Sequence, residues 1–199
     1  MKVLKVLIDA GHGINTKGKR SPVWPNGTQL LEWQYNRTLS RKLYAKCAQH
    51  PELMPILLVT EDKDIGLSAR ARRANAYGSK ASIFISMHGN AAANSSARGW
   101  EVHTSEGFTK ADLLADCLWQ NVKEDMPAMK MRHDLSDKDH DFESKFTVLV
   151  KTTMPAVLVE NGFFTNFEEC MNMLNDEWQD KLVDALVAGI LDYYHNHYA

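Results

Sequence analysis

The chain has 199 residues, a formal net charge of −2, and apolar and charged fractions of 44% and 24%. That is enough chain for one domain with a full core, with no basic excess pointing to nucleic acid or an anionic membrane. No apolar run reaches the ~18–20 residues of a membrane helix, and Met1–Lys5 runs straight into the first predicted strand with no secretion signal before it. A monomer without nucleic-acid partner or membrane insertion is expected. Cys47, Cys117 and Cys170 are an odd number without close spacing, set among apolar residues of predicted helices, so buried free thiols are expected.

In chain order, residues 3–9 read as a strand, followed by a polar loop carrying Trp24 and two prolines, Pro22 and Pro25. A helix is expected from about Leu30 to His50, with Leu31, Tyr35, Leu39, Leu43 and Cys47 at helical spacing. Pro51 and Pro55 stop it, and Ile56–Thr60 is expected as the second strand. A helix from Leu67 to about Ser79 leads to a strand ending at His88, and 90–98 is a small, polar loop. Residues 99–104 alternate like a half-exposed or edge strand. A helix over 110–125 precedes a charged segment, 126–144, expected as a long surface loop. Residues 146–150 and 156–159 read as the last two strands. Asn166 with Glu169 suggests a capping box, and Leu182, Leu186, Ile190 and Tyr194 mark the inner face of a terminal helix. The expectation is an α/β fold: a single domain over 1–199 with a mostly parallel, twisted sheet of about six strands and helices on both faces.

Three of the apolar runs end on chemistry. Ile8-Asp9-Ala10-Gly11-His12-Gly13 and Ile85-Ser86-Met87-His88-Gly89-Asn90 each deliver a histidine beside glycine, and Ala156–Val159 ends on Glu160. In parallel sheets the carboxyl ends of the strands form the ligand crevice, so both imidazoles and the carboxylate converge on one edge. Two histidines there suit zinc, which needs a third protein ligand and leaves a fourth position for water. Glu32, near the start of the first long helix with Asn36 one turn on, is the best local candidate for that ligand. Asp9 competes, but so close to His12 it is better placed to accept a ligand's second ring N–H. A carboxylate after an apolar run is costly to bury, and at a zinc site Glu160 can carry a proton from water to the leaving amine. The pattern points to a hydrolase.

Five ordered blocks then carry a family resemblance: Ile8–Gly13; Glu32 with Asn36; Leu67-x-x-Arg70-x-x-x-Ala74-Asn75; Ser86-x-His88-x-Asn90; and Pro155–Phe163. Together they resemble the zinc-dependent N-acetylmuramoyl-L-alanine amidases of the "amidase 3" type, over essentially the whole chain. The resemblance implies one Zn²⁺ held by His12, Glu32 and His88, with Glu160 as catalytic acid/base and Asn90 supporting the site or facing substrate. Arg70 and Asn75 match positions read as structural. It implies hydrolysis of the amide between the lactyl group of N-acetylmuramic acid and L-alanine, with peptidoglycan or muropeptides as partner. Trp24, Arg132 and His133 are candidates to line the groove. Asn161, the proline-bearing loop and segment 126–144 depart from the family pattern. With no separate wall-binding module expected, the chain looks like a phage or prophage endolysin, cytoplasmic until release onto the wall. A form trimmed of its export signal, acting outside the cell, would read the same way. A non-catalytic peptidoglycan-binding module and another zinc peptidase acting on peptidoglycan peptides are the rival readings.

Overall fold

The computed structural model describes residues 2–136 and 138–199; Met1, and Asp137 within the charged segment, lie outside the described residues. Six strands form one sheet in the order β2-β1-β3-β6-β4-β5. They are β1 (Leu4–Ala10), β2 (Leu53–Leu57), β3 (Ser82–Asn90), β4 (Trp100–Thr104), β5 (Phe142–Glu143) and β6 (Ala156–Phe163). All neighbouring pairs are parallel except β4 with β6. The helices are α1 (Glu32–Cys47), α2 (Leu67–Asn75), α3 (Lys110–Asp125), α4 (Thr147–Val150), α5 (Phe167–Leu174) and α6 (Asp176–Tyr193), with a final π turn over Tyr194–Tyr198.

Strand alternation divides the core between two faces. Val6, Ile8, Ile83, Ile85, Met87, Val157 and Val159 point to one side, where Leu39 and Leu43 of α1, Leu114 and Leu118 of α3, and Leu182 and Leu186 of α6 close over them. Leu7, Phe84, Ala156 and Leu158 point to the other, covered by the smaller set Ala74 of α2 and Val148 and Leu149 of α4. The second face is therefore thinly roofed toward the ends of β1, β3 and β6. Cys47, Cys117 and Cys170 are buried free thiols, as expected.

Five expectations shift. The second strand is 53–57 rather than 56–60, and Pro55 lies within it opposite Val6; β2 is an edge strand, where a residue without an N–H is tolerated. Where a strand is expected over 146–150, Thr147–Val150 form one helical turn. Val148 and Leu149 are adjacent and both buried while Phe146 and Val150 are exposed, a pattern no two-sided strand can satisfy. β4 is buried along all five residues, with β5 paired beside His103 and Thr104 and Met131 bridged to Trp100 on its outer side. Segment 126–144 is not a free loop: the Trp100 N–H donates to the Lys130 carbonyl, and the Arg132 N–H to the Trp100 carbonyl. At α5, Asn166 caps the Glu169 N–H as expected, but the Glu169 carboxylate accepts from the Phe163 N–H at 2.7 Å instead of completing the box.

Candidate metal centre and its cleft

The exit of β1 is built for close approach. A Cβ on Gly11 would lie 2.2 Å from the His88 ring, and one on Gly13 would lie 2.0 Å from the Asp64 backbone nitrogen. Between them His12 adopts a left-handed conformation, φ 61°. Two buried arginines fix this turn. Arg70 donates to the Asp9 carboxylate and the Ala10 carbonyl at 2.7 Å each, and also to Asp64 and the Ile65 and His12 carbonyls. Arg37 donates to the carbonyls of Ala10 (2.7 Å), His12 (2.9 Å) and Glu61 (2.9 Å).

On this frame His12 Nε2 and His88 Nδ1 each lie 3.2 Å from Glu32 Oε1. The two rings meet edge to face, 4.9 Å apart at an interplanar angle of 89°. Glu32, the first residue of α1, is fully buried, and its Oε1 also receives the Gly89 N–H at 3.4 Å. Burial alone would raise its pKa, but the contacts of His12 and His88 win and hold it well below the ordinary carboxylate range. Burial pushes the His88 pKa down against the pull of Glu32, which favours the neutral ring a metal requires. His12 Nε2 and Glu32 Oε2 are buried without a hydrogen bond. The ligand atoms of His12, Glu32 and His88 lie within 4.8 Å of one another. Two imidazole nitrogens, one carboxylate oxygen and orphaned donor atoms fit a zinc ion with a coordination position to spare.

Glu160 stands beside this group, because its β6 position is in register with His88 on β3 and shares its face. Beyond it the ladder is irregular: Glu160 to Phe163 on β6 matches only His88 to Asn90 on β3, with Gly162 taking φ 95° at the extra residue. The Asn161 side chain fills the break, donating to the His88 carbonyl at 3.1 Å and accepting from Trp100 Nε1 at 2.8 Å. Burial raises the Glu160 pKa well above its ordinary value, the charges of Glu32 and Glu101 add to this, and Lys19 offsets part of it. Glu160 Oε2 has no hydrogen-bond partner.

The remaining expected residues fall differently. Asp9 does not touch a histidine ring; its oxygens hold Arg70 and the Ser86 hydroxyl, both at 2.7 Å. Asn90 donates to Glu101 at 2.7 Å. Glu101, which sequence reasoning missed, is paired with Glu160 across β4 and β6 and is held by Asn90, His103 and Arg132. Arg37 was missed too, although a positive residue five positions after Glu32 on the same helix was a visible oddity. Asn75 bonds the Lys151 carbonyl and the Thr153 N–H, tying α2 to the approach of β6. A cleft of about 420 Å³ opens over His12, His88 and Glu160, walled by Lys19, Ile65 and Phe146 among others. Trp24, Arg132 and His133 do not line it. Trp24 packs on Phe167 and donates to Cys170 Sγ, Arg132 lies over the Phe163 ring, and His133 meets Trp119 edge-on.

Residues 6–192 match the family model described as N-acetylmuramoyl-L-alanine amidase. The chain belongs to this family. It is 32% identical over 193 residues to the uncharacterized protein YqiI of Bacillus subtilis, covering 95% of this chain and 84% of that protein. It is 28% identical to the endolysin of Bacillus phage SPP1, over 94% of this chain and 65% of the endolysin. Among solved structures, an N-acetylmuramoyl-L-alanine amidase from Clostridium difficile 630 superposes with a TM-score of 0.88 at 29% identity, over 99% of this chain and 100% of that one. No helix among the described residues is long and apolar enough to cross a membrane.

Proposed function

We propose that this member of the family is a zinc-dependent peptidoglycan hydrolase that cleaves the amide between the lactyl group of N-acetylmuramic acid and L-alanine. The observation that carries the reading is the convergence of His12 Nε2, His88 Nδ1 and Glu32 Oε1 at the floor of an open cleft lined by His12, His88 and Glu160. His12, His88 and Glu32 would hold the metal. Bound there, zinc supplies a Lewis acid toward the scissile carbonyl and acidifies water. Glu160 takes a proton from the attacking water at Oε2, the oxygen without a partner, and returns it to the alanine nitrogen as the C–N bond breaks. The products are a lactyl carboxylate and a peptide with a free alanine amino terminus. Asp9 acts at one remove, holding Arg70 against the carbonyls that shape the His12 turn. Asn90 acts through Glu101, the strand partner of Glu160. On this reading the cell wall is the place of action, and the 28% identity to a phage endolysin is compatible with a lytic role.

The test is mass spectrometry of purified peptidoglycan after digestion, seeking peptides with a new L-alanine amino terminus. Glu160→Gln is expected to keep its zinc and fold while turnover falls by about 10²–10⁴. Undiminished turnover in that variant would remove the proposed acid/base, and digestion without new alanine termini would remove the amidase reading.

A further inference from the structure

The cleft carries two lysines that amide hydrolysis leaves without a role. Lys19 comes from the loop before α1 and Lys145 from the turn before α4, and both border the cavity over His12 and Glu160. The guanidinium in the same wall is already committed: Arg70 is buried and holds Asp9, Asp64 and three carbonyls. The lysines are held less tightly, each by a single carboxylate. Lys19 is half-exposed and its Nζ stands 3.8 Å from Glu32 Oε2, which receives no hydrogen bond. Lys145 is largely exposed and meets Glu106, itself exposed, at 3.1 Å, a pairing too solvated to hold it strongly. The acidic groups of the cleft are otherwise engaged: Asp9 and Asp64 bind Arg70, Glu32 faces two imidazoles, and Glu160, half-buried, stands beside them. The charged groups of this wall that are solvated enough to turn toward a ligand are therefore the ammonium groups of Lys19 and Lys145. Around the lysines the wall is apolar, with Ile65, Leu67 and Phe146 placed for the body of a peptide.

We propose that Lys19 and Lys145 recognise a free carboxylate on the substrate peptide, on the residue that follows the released alanine. The inference rests on the amidase reading and names its substrate class. In wall peptides that residue is a glutamate linked onward through its side chain, so its α-carboxyl is a free anion unless it is amidated. Lys19 lies next to Glu32, which contacts both imidazoles, so its ammonium stands 3.8 Å from the ligand cluster, close to the ~3.3–3.6 Å that one extended residue spans. A flexible ammonium reads such an anion as a point charge, and an α-amide in its place removes the charge but not the shape.

The experiment compares two synthetic muramyl peptides that differ only in whether this α-carboxyl is free or amidated. The unaltered protein is expected to show a KM about fivefold lower for the free acid, the scale of one partly exposed ion pair. Lys19→Met and Lys145→Met should each bring the ratio of the two KM values toward one, and Lys19→Arg should retain it. Zinc content is measured in every variant, because Lys19 neighbours Glu32; its backbone carbonyl, which accepts the Glu32 N–H at 3.1 Å, is kept by the substitution. Lys145, far more exposed, gives an independent readout that does not disturb the ligand cluster. Equal KM values for the two substrates in the unaltered protein would overturn the proposal, as would lysine variants that weaken both substrates alike. Failure to cleave either substrate would remove the amidase reading, and the inference with it.

Discussion

Gly11→Ala tests the site at its tightest point. The backbone of Gly11 does not require glycine for its conformation, so the added methyl meets an obstacle rather than a forbidden φ. That obstacle is the His88 ring, whose three nearest atoms lie 2.2, 2.4 and 2.6 Å from the new carbon. Carbon and ring atoms settle at about 3.5 Å or more, so the imidazole must retreat by roughly 1 Å. Coordination distances tolerate about 0.2 Å. His88 Nδ1 would leave its position 3.2 Å from Glu32 Oε1, and one of the three proposed ligands would be lost or misplaced. Zinc affinity is expected to fall at least tenfold and toward the ~100-fold cost of removing a ligand's support. The global fold should lose only about 1–3 kcal/mol, the usual cost of overpacking by a methyl group, since His88 lies at the edge of the packed interior. Affinity is measured by competition with a chromogenic chelator, and stability by urea unfolding of the metal-free protein. Zinc affinity within threefold of the unaltered protein would refute the reasoning.

Two further outcomes follow from buried charge. Arg70→Met leaves Asp9 buried without its cation and releases the Ile65 carbonyl, while the Ala10 and His12 carbonyls keep Arg37; about 3–5 kcal/mol of stability should be lost in urea unfolding. Arg70→Lys should not restore it, because an ammonium cannot span the same fork of acceptors; a loss below about 1 kcal/mol in Arg70→Met would contradict the assignment. Asp141 is buried near Asp139 and Asp112, and burial first, then those neighbours, raises its pKa to about 7 despite the hydrogen bond from Thr104. The folded chain then binds more protons than the unfolded chain between about pH 4 and 7. Stability contributed by this group is full below that window and falls as pH rises through it. Thermal unfolding should show the decline, and Asp141→Asn should flatten it; an unchanged slope would assign the pH dependence elsewhere.

How much of this was readable in advance follows from what each feature depends on. His12, His88 and Glu160 are legible because strands buried on both faces announce their own carboxyl ends, and a parallel sheet gathers those ends at one edge. Glu32 is legible more weakly, as a carboxylate in the first turn of a helix. Glu101 is not legible at all: it reaches Glu160 only because β4 runs antiparallel against β6, and strand order leaves no mark in local sequence. The cage of Arg37 and Arg70 is hidden for the same reason, since its partners are carbonyls of a turn 27 and 60 residues away. Residues 146–150 misled because a β-branched run carries strand propensity whatever its burial period, and here packing on the second face decided in favour of a helical turn. Trp24, Arg132 and His133 sit in the right loops yet serve other contacts, because loop sequence does not specify loop direction.

The two-faced alternation of β6 makes the site depend on reading frame as well as on residue identity. Val157 and Val159 belong to the thickly roofed side, and Ala156, Leu158 and Glu160 to the side that opens into the cleft. Removing one residue from the lead-in to this strand would keep its composition and much of its pairing, yet turn Glu160 into the apolar interior and expose valines to the cleft. Pro155, whose carbonyl accepts the Phe84 N–H at 2.8 Å, and the Asn75 bonds to Lys151 and Thr153 pin the strand before it begins. They act as a ratchet pawl, admitting one phase of the strand and refusing its neighbour.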